Sequence, residues 1–160
     1  MDALRTPTQM FIMIAGLFHL ALGAAGFVGP WVEGAGAGGD GELFGFFAVN
    51  GALNVFNLVG GAVLVVAAMS IPAAVWVSRL YAVVFAGLAI WGAAEIGLTG
   101  TESTLLAELL HVNVVNNWAY IGLAALYALF GLVPQMWRTD VAADEPRRRR
   151  ATRGEQAYNR

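Results

Sequence analysis

The sequence predicts an all-α integral membrane protein, a four-helix bundle made of two duplicated helical hairpins with the N and C termini cytoplasmic. Three observations predict it. Four apolar segments, at 9–29, 49–69, 74–98 and 112–133, each approach the ~20 residues that cross a ~30 Å hydrocarbon layer. All cationic side chains fall on one side of that alternation. The second and fourth segments open on the same residues, Val49-Asn50 and Val112-Asn113, 63 positions apart.

Composition points the same way. Over 160 residues, 58% are hydrophobic and 12% charged, with a mean hydropathy of +0.64, which a soluble domain of this length does not show. The net charge of −2 says little, because the charge is partitioned by side. The absence of Cys excludes disulfides, thiolate metal sites and thiol chemistry. The cations are all Arg, which with abundant Ala and Gly suggests a GC-rich bacterial genome.

Taken in order, Arg5 precedes the first segment. That segment exceeds the 7–15 apolar residues of a signal peptide and contains His19, so it reads as a retained helix. Gly29-Pro30 stops it, and Trp31 follows as an interfacial anchor. The loop at 32–42 carries only acids, Glu33, Asp40 and Glu42, and its Gly/Ala run at 34–39 reads as flexible. Ser70-Ile71-Pro72 makes a tight turn between the second and third segments, and Arg79 lies at the start of the third. Leu98-Thr99-Gly100 ends that helix, and the loop after it holds Glu102 and Glu108. The stretches 42–48 and 104–111 are expected at the outer interface. Pro134 and Trp137 follow the fourth segment. The transmembrane domain thus covers 1–137, and 138–160 is a polar, Arg-rich, disordered tail. With Arg on the terminal side and in the middle loop, the positive-inside rule makes both termini cytoplasmic and the protein a multi-pass component of a bacterial plasma membrane.

Each segment carries one polar or small-residue face. Asn50, Asn54, Asn57 and Gly61 are spaced 4, 3 and 4 apart, and Asn113, Asn117, Tyr120 and Ala124 repeat that spacing with Asn116 beside them. Gly16, His19, Gly23 and Gly26 share a face of the first segment, and Leu88, Gly92 and Glu95 a face of the third. These faces are expected inward, because amides facing lipid would be unsatisfied. His19, Asn57 and Tyr120 fall roughly 12–15 Å below the outer surface, with Asn50, Glu95 and Asn113 within about 5 Å of it. Gly23-Ala24-Ala25 over Gly92-Ala93-Ala94, 69 apart, extends the repeat to the odd segments.

Two readings of these stripes stay open. In one, the amides and small residues hold helices together through hydrogen bonds and close contact. In the other, His19, Asn50, Asn54, Asn57, Glu95, Asn113, Asn116, Asn117 and Tyr120 form a candidate polar pocket open to the extracytoplasmic side. No nucleophile order, phosphate loop or metal-ligand spacing accompanies them, and His111 near Glu108 lacks a substrate cleft, so no catalytic residue, metal or cofactor is expected.

The stretches 43–64 and 105–126 resemble a bacterial membrane family catalogued as domain of unknown function 4383, through Val49, Asn50, Asn54 and Gly61 and through Val112, Asn113 and Asn117. The resemblance extends over about 10–134 and implies the duplicated four-helix fold. The family pattern places His where this chain has Leu53 and Asn57, and Asn116 and Tyr120 stand at the corresponding positions of the second copy, so any metal or proton role of those family histidines is not expected here. The expected function is that of a non-enzymatic integral membrane protein, a small structural or accessory subunit of a membrane assembly. The alternative is small-molecule or ion binding or transport through the Asn-lined pocket. Expected partners are the lipid bilayer, other membrane subunits or a second copy, and anionic headgroups at Arg147, Arg148, Arg149 and Arg150. A short basic run without a folded reader does not support nucleic-acid binding.

Overall fold

A computed structural model describes residues 6–34, 40–107 and 109–132. Arg5, residues 35–39, Glu108, Pro134, Trp137 and the Arg-rich segment 138–160 lie outside the described residues. Four helices form the body: α1 (Pro7–Ala25), α2 (Gly51–Ala68), α3 (Ile71–Ile96) and α4 (Val114–Leu132). All four are long and apolar enough to cross a membrane. Their starts follow from local chemistry. Thr6 caps α1, accepting from the Gln9 N–H at 3.2 Å ahead of Pro7 at the first helical position. Asn50 caps α2 in the same way.

The fold is not wholly helical, and the two loops expected at the interface are small sheets. A turn of 3-10 helix (Gly29–Trp31) leads into β1 (Val32–Gly34), which pairs antiparallel with β2 (Gly41–Leu43), and β2 pairs with β3 (Phe47–Val49). On the other connection β4 (Ser103–Leu106) pairs antiparallel with β5 (Leu110–Asn113). Pairing is how short connections satisfy their own backbone N–H and C=O groups. Leu43 and Leu106, each 1% exposed, seal the bundle from this end.

α1 packs chiefly on α2, and α3 on α4. Between α1 and α2 the backbones nearly touch, because a Cβ added at Gly16 would meet the Gly61 carbonyl at 2.9 Å and one added at Gly61 would meet the Gly16 carbonyl at 2.7 Å. Small residues permit such an approach, so dispersion acts directly between the two backbones. Away from the hairpins, short polar side chains bond to neighbouring helix backbones. Thr8 Oγ1 donates to the Phe130 carbonyl at 2.8 Å, Ser78 Oγ to that of Tyr127 at 2.7 Å, and Gln9 Nε2 to that of Ala68 at 2.9 Å. Arg79 Nε donates to the Gly131 carbonyl at 3.1 Å, meeting the negative end of α4.

Roles recur between the two halves at fixed shifts. Phe44 and Ala107, 63 apart, both have left-handed backbones, φ 57° and 52°. The same shift relates Leu43 to Leu106 and Asn50 to Asn113. For the odd helices the shift is 66, because Gly26 packs on Asn54 as Gly92 packs on Asn117. Gly26, rather than the expected Gly23, therefore stands in the role of Gly92.

Candidate functional site

The nine candidate residues separate into four groups. Asn50 and Asn113 form the first, at the junction of the halves. Asn50 Oδ1 accepts from the Leu53 N–H at 2.9 Å while its Nδ2 donates to the Leu109 carbonyl at 2.8 Å. Asn113 Oδ1 accepts from the Asn116 N–H at 3.0 Å while its Nδ2 donates to the Phe46 carbonyl at 2.8 Å. Each Asn starts its own helix and holds the turn of the other half's hairpin. Asn116 adds to this junction. Its Oδ1 accepts from the Ala48 N–H at 2.9 Å and its Nδ2 donates to the Ala48 carbonyl at 3.1 Å, so one carboxamide occupies a residue of β3 as a neighbouring strand would.

Asn54 and Asn117, 1% and 0% exposed, form the second group. Each presses on a glycine of its paired helix, and a Cβ at Gly26 or Gly92 would fall on the facing carboxamide oxygen. Asn117 Nδ2 donates to the Gly97 carbonyl at 3.1 Å, whereas neither amide atom of Asn54 has a hydrogen-bond partner. These Asn side chains are sealed between helices and are not among the residues that line the cavity between α1, α2 and α4.

Glu95 stands alone. It is exposed and accepts from the Trp91 indole N–H at 3.3 Å. The expected inward face ran through Leu88, Gly92 and Glu95, but the buried positions of α3 are Ala74, Ser78, Phe85, Ala89 and Gly92. That stripe drifts past Glu95 by the last turn, leaving the carboxylate where it can be solvated.

His19, Asn57 and Tyr120, with Asn116 at the rim, are the residues the structure brings around one space. A cavity of about 290 Å³ lies between α1, α2 and α4. Leu43, Phe47 and Val49 of the first hairpin roof it, and Phe85 of α3 backs it. His19 Nδ1 donates to Asn57 Oδ1 at 2.8 Å. The imidazole stacks on Phe85, ring centroids 5.5 Å apart at 14°, and Phe85 stacks in turn on Tyr127 at 5.6 Å and 13°. Three buried polar atoms here have no hydrogen-bond partner among the described residues: His19 Nε2, Tyr120 OH and, beneath the cavity, Tyr127 OH. The exposed lining residues are Phe18, Gly122 and Leu126, on the outer sides of α1 and α4. The mouth is therefore lateral, between those helices. Farther from the hairpins the gap closes where Phe11 stacks on Phe130 at 4.3 Å.

Sequence reasoning did not single out Phe85, Phe18, Gly122, Leu43 or Phe47. Aromatic and leucine side chains in apolar helices look alike whether they face lipid, core or cavity. One signal was available, since the 66-position shift sets Phe85 against His19.

The family described as Domain of unknown function (DUF4383) matches residues 9–133. The chain belongs to that family. No curated protein and no solved structure matches it.

Proposed function

We propose that this family member is a multi-pass integral membrane protein, two duplicated hairpins with both termini cytoplasmic, that binds a small membrane-dissolved molecule without catalysing its conversion. Insertion is supported by the outward faces, where Val66, Val83 and Ile90 are each 72% exposed and Trp76 69%, an apolar girdle that water would not tolerate. Duplication is supported by the recurring roles at shifts of 63 and 66 and by the reciprocal Asn50 and Asn113 bonds. The observation that carries the binding reading is the laterally open cavity with unpartnered polar atoms in its wall. Ligand sites are commonly concave and mostly apolar, with a few placed polar groups. Of the Asn-rich stripes, Asn50, Asn113 and Asn117 then serve as structural bonds away from the cavity, while Asn57 and Asn116 border it.

Orientation is tested in this Cys-free chain by single cysteines at Gly36, Thr101 and Ala151. The first two are expected to react with an impermeant thiol reagent in intact cells and the third only after lysis. Reaction at position 151 in intact cells would reverse the orientation. Binding is tested at the mouth with Gly122→Trp. A Cβ at Gly122 meets nothing within 4 Å, so the variant is expected to fold, and its indole to abolish binding of the lipophilic fluorophore 1-aminoanthracene to the detergent-purified protein. Unchanged fluorophore affinity would remove the cavity from the function.

The accessory-subunit reading is favoured by a second feature, a shallower apolar groove along α2 and α3 lined by Val55, Val59, Val63 and Tyr81. A companion membrane chain recovered in stoichiometric amount after mild detergent extraction, and lost on Val59→Asn, would establish it.

A further inference from the structure

We propose that the α1–α4 cavity selects an uncharged lipophile by its hydroxyl group, an alcohol or phenol whose O–H donates to His19 Nε2. This rests on the binding reading above and names the ligand chemistry. The tautomer decides it. His19 Nδ1 faces Asn57 Oδ1 at 2.8 Å, and a carbonyl-type oxygen can only accept, so the imidazole proton lies on Nδ1. In the neutral ring Nε2 is then a bare acceptor, and it is buried without a partner. A ketone, ether or ester oxygen cannot satisfy it, whereas a hydroxyl can. Tyr120 OH, also buried and unpartnered beside the same cavity, can donate to the hydroxyl oxygen in return.

Charge and size narrow the class further. Among the described residues no Asp, Glu, Lys or Arg lines the cavity, so a phosphate or carboxylate headgroup would be buried uncompensated. A void of about 290 Å³ compares with the ~150 Å³ apolar cavity that takes up benzene, which suits one ring or a short branched chain. The rest of such a molecule leaves sideways past Phe18 and Leu126, 52% and 45% exposed, into the surrounding apolar medium.

The groove on α2 and α3 is the counterpart at the same shifts. Phe56, Val59, Gly60 and Val63 there answer to Ala119, Gly122, Leu123 and Leu126 here. In that groove Tyr81 OH already donates to the Gly60 carbonyl at 2.9 Å, and none of its lining residues holds an unpartnered polar atom. Of the two related positions, the α1–α4 cavity is the one with an unmet hydrogen-bonding demand.

The test measures equilibrium binding of three probes to the full-length protein in detergent: 4-nonylphenol, its methyl ether 4-nonylanisole, and farnesol as the non-aromatic alcohol. The phenol is expected to bind about tenfold tighter than the ether, the effect of one hydrogen bond to an otherwise unsatisfied buried acceptor. His19→Phe keeps the ring stacked on Phe85 and is expected to bring the two affinities together while ether binding persists. Tyr120→Phe, which removes a single oxygen, is expected to weaken the preference in part and guards against a folding defect in the first variant. Farnesol matching the phenol assigns the site to alcohols at large, and farnesol failing assigns it to phenols. Equal binding of phenol and ether by the unsubstituted protein, or a preference that survives His19→Phe, overturns the hydroxyl proposal and leaves the cavity a general lipophile site. Binding of none of the three probes overturns the binding reading itself.

Discussion

Asn116→Leu is expected to lower the unfolding free energy by about 2–6 kcal/mol, because it strands both the N–H and the carbonyl of buried Ala48 at roughly 1–3 kcal/mol each. The Ala48 backbone has no water to turn to, being 0% exposed, and the Asn113 N–H loses a weaker 3.3 Å bond at the same time. The loss should be local before it is global, with the Ala48 amide exchanging with deuterium in the native state while the middles of α2 and α4 stay protected. Asn54→Leu is the matched control. Its carboxamide is as deeply buried but makes no hydrogen bond, so the same replacement is expected to change stability by less than about 1 kcal/mol, since removing an unsatisfied polar group is nearly neutral. Denaturation in mixed micelles, comparing the two variants, measures the difference. Equal losses would mean that burial of the amide, and not its pairing with Ala48, is what matters at position 116.

The four helices were legible because membrane-length apolar runs are an unambiguous signal, and boundaries set by Pro7 and Asn50 moved by only a few residues between expectation and structure. The hairpins were not. Strands of three or four residues are too short to show alternation, and the turns use Phe44 and Ala107 with positive φ where sequence reading looks for Asn or Gly. Each strained turn is held from outside, Phe46 by Asn113 and Leu109 by Asn50, so the compensating residue lies 67 positions away in one case and 59 in the other. A local reading of the chain has no access to it.

The candidate site was half legible for a related reason. Spacing identified which faces of α2 and α4 turn inward, and it brought His19, Asn57 and Tyr120 to a common depth. It could not say what each amide meets there. An Asn that caps a helix, one pressed on a glycine and one replacing a strand look the same in sequence, and only Asn57 and Asn116 of the six border the cavity. Glu95 illustrates the limit of periodicity at a helix end, where a small drift of the buried stripe moves a residue from core to surface. The apolar walls of the cavity were invisible because nothing distinguishes a leucine over a void from a leucine in a core.

Gly61→Leu is expected to destabilise the bundle strongly. A Cβ there would stand 2.7 Å from the Gly16 carbonyl oxygen and 2.7 Å from the Leu20 nitrogen, both of them backbone atoms of α1 that no rotamer change can move. The two helices must separate to admit it. Overpacking a close contact costs roughly 1–3 kcal/mol or more, and in an apolar medium separation also forfeits the dispersion contacts that hold α1 to α2. Gly61→Ala should fall at the lower end of that range and Gly61→Leu above it, a graded series that a specific polar contact would not produce. Gly87→Ala supplies the opposite sign. Nothing lies within 4 Å of a Cβ at Gly87, so alanine gains only helix propensity, up to about 1 kcal/mol. If Gly61→Leu unfolds at the same denaturant concentration as Gly87→Ala, then α1 and α2 are not in backbone contact, and the cavity they border with α4 must have a different shape.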